Sequence, residues 1–131
     1  MAAELFSDLL LIAIIMAYCL FITEVLELLF ALIFGVRNKK DLGLVALANA
    51  LTNPWVVFIF SLVADNGIAY FVILPCLEIA AVAVEAFIYK RYSKSIRYPV
   101  YLAIGANLVS LILGVIISIV LIVLMIIASK S

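Results

Sequence analysis

An all-α membrane protein with four transmembrane helices is the fold class this sequence predicts, on three observations. Of the 131 residues, 70% are hydrophobic and mean hydropathy is +1.45, where a soluble domain is about half apolar. The apolar residues fall in runs far longer than barrel strands, without period-two alternation. Short polar segments at 35–41, 64–67 and 89–99 divide the runs into four.

Basic and acidic residues number eight each, so only the distribution of charge is informative. Histidine is absent, which removes the usual proton shuttle, the commonest metal ligand and Ser/His or Cys/His catalysis. Cys19 and Cys76 both fall inside apolar runs and are expected to be buried packing thiols. Glu4 and Asp8 stand where a signal peptide would be basic, so the first run is expected to be a mature membrane helix. No nucleic-acid partner is expected.

The first helix is predicted over residues 5–34. It is longer than the hydrocarbon core, so it tilts or projects. Glu24 and Glu27 lie one turn apart in its second half. After the basic turn 35–41, Asp41 is placed to cap the second helix, 42–63. Asn49, Thr52 and Asn53 form one stripe on that helix, and Pro54 leaves the Ala50 carbonyl without its donor. Ala64-Asp65-Asn66-Gly67 is a tight turn.

The third helix is predicted over 68–89, with Pro75 freeing the Phe71 carbonyl. Glu78 and Glu85, seven residues apart, share one of its faces at about 10 Å separation. Tyr89, Tyr92 and Tyr98 suit the headgroup level. The fourth helix is predicted over 99–128, with Asn107, Ser110 and Gly114 on one face.

Seven of the eight basic residues lie in loops 35–41 and 89–99; Lys130 alone lies on the other side. That bias predicts both loops in the cytoplasm and both termini outside, in a prokaryotic inner membrane. The chain also reads as two parallel copies of one hairpin. Ala48-Asn49-Ala50-Leu51-Thr52 matches Ala106-Asn107-Leu108-Val109-Ser110 as A-N-x-x-[S/T]. Glu24 stands eleven residues before Gly35, and Glu78 eleven before Tyr89.

Counted from the cytosolic helix ends, Glu24, Asn53, Glu78 and Ser110 fall at about 16–18 Å, near the midplane. Glu27, Asn49 and Asn107 form a second layer at about 12 Å, and Glu85 sits alone at about 6 Å, near water. Asn, Ser and Thr often serve only as glue between membrane helices. The four glutamates do not fit that reading, because no Lys, Arg or His shares their runs. They must be protonated or neutralised by a cation. All the available ligands are oxygens, which suit hard ions; Glu24, Asn53 and Glu78 are the expected metal ligands. No cofactor other than such a cation is expected. An organic cation is a further option, with Tyr18, Trp55 or Tyr101 offering a π-face.

Thr52-Asn53-Pro54, the Glu78/Glu85 pair, and Ala106-Asn107 with Ser110 and Gly114 together resemble a family of small four-helix prokaryotic membrane proteins of unassigned function. The resemblance spans most of the chain from Leu42 onward and implies the fold alone. Length and helix count are also similar to the small multidrug-resistance transporters. Those carry their key glutamate early in the first helix, and the surrounding residues here do not match.

Three functions compete. The first is a cation-binding transporter or channel, as a homo-oligomer in the lipid bilayer. The second is an accessory or assembly subunit whose glutamates meet a larger membrane partner. The third is an intramembrane enzyme with Glu24 and Glu78 as acid and base. It ranks last, since no nucleophile, His or Arg constellation accompanies them.

Overall fold

The computed structural model describes residues 2–63, 67 and 69–129. The chain forms α1 (Ala2–Phe34), α2 (Lys39–Val63), α3 (Leu74–Tyr92) and α4 (Pro99–Ala128). One π-helical turn, Ala69–Ile73, leads directly into α3. All four helices are long and apolar enough to cross a membrane.

Local chemistry sets the helix ends; α1 starts at Ala2 rather than residue 5, and three other ends differ from expectation. α1 stops in a Schellman motif. Gly35, at φ 104°, donates to the Leu32 carbonyl at 3.2 Å, and Val36 to that of Ala31 at 2.9 Å. The apolar contact that usually accompanies this motif is present, as Val36 and Ala31 are both buried.

α2 begins earlier than residue 42, because Asn38 takes the cap: its Oδ1 accepts from the Lys40 backbone N–H at 2.9 Å. Asp41 is therefore not the cap. It reaches across to the second loop and accepts from the backbone N–H groups of Lys94 (3.0 Å) and Ser95 (2.7 Å), and from the Ser95 hydroxyl.

α3 runs past Tyr89 to Tyr92, where the Ser93 N–H closes the last turn on the Tyr89 carbonyl at 3.0 Å. Pro75 sits in the first turn of α3, where a missing N–H is tolerated. The π-turn before it takes the place of an uninterrupted helix from residue 68. The predicted turn at 64–66 lies outside the described residues.

The helices form a ring in chain order. Each packs on its two neighbours, and neither diagonal pair, α1 with α3 or α2 with α4, makes contact among the described residues. The buried apolar residues are Ala31, Val36, Val45, Ala48, Ala81, Tyr89, Leu102, Ala103 and Ala106. Five of the nine are alanines, at least one on each helix, which let membrane helices approach closely. The closest approach is at Gly105, where an added Cβ would stand 2.5 Å from the Phe30 ring.

Among the described residues, every buried one lies in the half of the bundle nearer loops 35–38 and 93–98. In the other half, α1 before residue 23 and α4 beyond Ser110 have no buried side chain among those described. Large aliphatic residues there face outward, as a lipid solvent permits. Tyr18, Trp55 and Tyr101 also face outward, so none offers a ring to the interior. Cys19 is half-buried, but Cys76 is exposed rather than packed. Tyr92 and Tyr98 are exposed beside the Arg91 and Arg97 guanidiniums, 5.7 and 5.3 Å from their ring centroids. Tyr89 is fully buried instead of at the headgroup level, because α3 continues beyond it.

Candidate functional site

The interior of the bundle holds a polar cluster contributed by all four helices. Its best-satisfied member is Glu85 on α3, which is 0% exposed. Oε1 accepts from the Thr52 hydroxyl on α2 at 2.6 Å, and Oε2 accepts from the Asn107 amide on α4. The second Asn107 proton goes to the Ala103 carbonyl one turn below, at 3.0 Å.

Glu85 is thus neither alone nor wet, as its place in the sequence suggested. The reason is the extra turn of α3. Glu85 lies seven residues before Tyr92, and Glu27 lies seven before Phe34. Both glutamates therefore sit about 10 Å from the end of their helix.

Glu27 is 1% exposed. Oε1 lies 3.5 Å from the Ser110 hydroxyl on α4, and Oε2 has no donor. One turn further in, Glu24 Oε2 accepts from the Asn49 amide on α2 at 3.0 Å, and Oε1 is buried without a donor. Asn53 donates to the Thr23 hydroxyl at 2.8 Å, and Thr23 passes its proton to the Cys19 carbonyl at 2.9 Å. The side-chain oxygens of Asn49 and Asn53 are also buried without donors.

Glu78 stands apart. It lines a cavity of about 310 Å³ between α3 and α4, with Ile79, Val82, Ile104, Asn107, Leu108 and Leu111. Glu78 makes no hydrogen bond or ion pair among the described residues. Of the expected metal ligands, Glu24 bonds Asn49, Asn53 bonds Thr23, and Glu78 is among the residues that line this cavity. No group of three or more His, Cys, Asp or Glu side chains gathers to hold a metal among the described residues.

Two further residues belong to the cluster. Thr52 appeared in the sequence as part of the α2 stripe, but its partner Glu85 did not. Thr23 went unnoticed, although it lies one helical turn before Glu27 and next to Glu24. That spacing was the available signal.

The burial pattern recurs along the chain at a constant spacing of 58 positions. Glu27 pairs with Glu85, Val45 with Ala103, Ala48 with Ala106, Asn49 with Asn107, and Thr52 with Ser110, and all ten are buried. The glutamates that match at this spacing are thus Glu27 and Glu85, and not the expected pair, Glu24 and Glu78. At the same spacing Glu24 meets Val82 and Glu78 meets Leu20. The bonds repeat in part. Glu85 to Thr52 corresponds to Glu27 to Ser110. Asn107 bonds Glu85, but Asn49 bonds Glu24 and not Glu27.

Fold and cluster together define a four-helix, multi-pass membrane-type protein with an acidic interior. Comparison with known proteins goes no further: no family model matches the chain, and no curated protein or solved structure matches it.

Proposed function

We propose that this protein binds a cation inside the bundle and moves it across the membrane, as a small carrier or channel. The observation that carries the reading is a surplus of acceptors. Glu24 Oε1, Glu27 Oε2, Asn49 Oδ1 and Asn53 Oδ1 are all buried, all oxygen, and all without a donor. Both Asn49 amide protons, one of those on Asn53 and the Thr23 hydroxyl proton are already directed at other oxygens. Within the helices, Lys and Arg occur only at the loop-facing ends of α2 and α3, and neither α1 nor α4 contains one. A proton or a hard cation would satisfy such a set.

In this reading both termini are outside and the two basic loops are cytoplasmic, in a prokaryotic inner membrane. The two hairpins are parallel repeats related by a pseudo-twofold axis. The constant spacing of 58 and the ring order of the helices support that relation. A homodimer supplies the pathway, since one bundle encloses little room. The second reading, an accessory subunit of a larger complex, draws on the unpacked halves of α1 and α4, which a partner would cover.

A thermal-shift screen separates the two. Sodium, magnesium, calcium and manganese are tested at two pH values on the wild type and Glu27→Gln. A cation that binds the folded state stabilises it by about 2.7 kcal/mol at a hundredfold excess over Kd. The effect grows with pH, because protons compete for the same oxygens, and it is lost in Glu27→Gln. If no ion shifts the wild type more than the variant, the transport reading is abandoned.

A further inference from the structure

We propose that Tyr89 is a specificity-determining residue of the inner cation site. Its hydroxyl holds a water molecule of the ion's shell, so that the site takes a partly hydrated divalent cation, magnesium before calcium. The inference rests on the cation reading above and names the ion class of that same site.

Tyr89 stands on α3 one helical turn beyond Glu85 and is 0% exposed. Its ring belongs to the apolar core with Ala31, Val45, Ala48, Leu102 and Ala103. Long side chains on a helix lean toward its N-terminal end, over the residue four positions earlier. Here that residue is Glu85, so the ring leans from the apolar core toward the acids. The hydroxyl at its tip is within electrostatic reach of the Glu85, Glu27 and Glu24 carboxyls, yet it has no hydrogen-bond partner in the protein.

Packing does not account for that hydroxyl. Phenylalanine would fill the same space without burying an unsatisfied O–H, which is costly in an apolar interior. On the repeat reading, to which this one comparison is tied, the position 58 residues earlier is Ala31, also 0% exposed. The second hairpin thus carries a phenol where the first carries a methyl group.

Counting donors identifies what the hydroxyl meets. Glu24 Oε1, Glu27 Oε2, Asn49 Oδ1 and Asn53 Oδ1 all need donors, and among the described buried atoms without a partner only the Tyr89 hydroxyl has a proton to give. A proton bound by Glu24 or Glu27 adds a donor and no acceptor for Tyr89. A fully dehydrated ion adds no acceptor either. A water molecule accepts from Tyr89 and donates two hydrogen bonds to the orphan oxygens, about the number a buried water usually makes. A cation that keeps part of its water shell therefore serves the whole set.

The charge and spacing of the acids point to the same class. Two of the orphan oxygens belong to carboxyls, those of Glu24 and Glu27, and no group of three acids closes into a cage among the described residues. Magnesium dehydrates reluctantly and is bound through one or two carboxylates with its remaining waters, whereas calcium favours a larger set of direct oxygen ligands.

The test uses the full chain in lipid nanodiscs, with magnesium chloride and calcium chloride as probes, and Tyr89→Phe, which keeps the ring. Thermal stability is followed against ion concentration, with EDTA-treated protein as the ion-free reference. The wild type should be half-saturated by less magnesium than calcium. Tyr89→Phe should raise the magnesium requirement about tenfold and leave the calcium requirement within about threefold. Without ions, Tyr89→Phe should melt no lower than the wild type, because its hydroxyl has no bond to lose. Calcium preferred over magnesium in the wild type, an unchanged magnesium requirement in Tyr89→Phe, or a lower ion-free melting temperature would each overturn the assignment. If no cation stabilises the wild type, the cation reading itself fails. If magnesium stabilises wild type and Tyr89→Phe alike while Glu27→Gln loses the effect, only the role of Tyr89 fails.

Discussion

Thr52 donates a 2.6 Å hydrogen bond to Oε1 of Glu85, tying α2 to α3 inside the bundle. Both side chains are buried, and the Asn107 amide on α4 completes the carboxyl from the opposite side. Three helices thus meet at one carboxyl group. Interhelical hydrogen bonds in membranes are worth about 0.6 kcal/mol on average and about 1.7 at most. The contact therefore orients the helices more than it stabilises them.

Thr52→Val keeps the side-chain shape and removes the donor. It should lower stability in detergent unfolding by about 1 kcal/mol. The loss should shrink in a Glu85→Leu background, where no acceptor remains. A double-mutant cycle measures the coupling, and full additivity would argue against the bond.

Gly105→Ala places a methyl group 2.5 Å from the Phe30 ring. Overpacking of this kind costs about 1–3 kcal/mol. Phe30→Leu should relieve most of it, because the clash is with the end of that ring. Unfolding midpoints of the two single variants and the double variant decide the point.

Asp41→Ala strips three acceptor contacts from Lys94 and Ser95. Loop 93–98 should then open more readily, seen as faster amide exchange there with little change at residues 44–52. Asp41→Asn, which keeps one acceptor oxygen, should lie between. Unchanged exchange at Lys94 and Ser95 would show that the clamp is not needed to order the loop.

Cysteine labelling on a background lacking Cys19 and Cys76 tests the proposed orientation. A label at Ser93 should react only from the cytoplasmic side, and one at Gly67 only from outside. The reverse pattern would invert the basic-loop assignment and turn the packed half of the bundle outward.

The four helices were legible in the sequence because apolar runs of 18 residues or more have few other solutions in lipid. The A-N-x-x-[S/T] pair on α2 and α4 was legible too, since two matching polar positions stand out in an apolar background. The glutamate partners were not. Counting depth from Tyr89 placed Glu85 close to water, whereas α3 ends at Tyr92. Three residues move a side chain about 4.5 Å along the axis, enough to replace the expected match of Glu24 with Glu78 by that of Glu27 with Glu85. Asp41 was misread for the same kind of reason: Asn38, three residues earlier, takes the cap.

By itself, then, the sequence determined that the helices number four and that their glutamates have no basic partner within the apolar runs. Bilayer thickness and the cost of buried charge act on the chain locally, so composition and run length suffice for both. Only the tertiary structure decided which acid meets which partner. Glu85 took Thr52 and Asn107, Glu24 took Asn49, and Glu78 was left among the residues that line the cavity between α3 and α4. Those choices depend on where each helix stops and how it is rotated against two neighbours. A Schellman glycine, a cap at Asn38 and one π-helical turn set these, and none of the three registers in hydropathy.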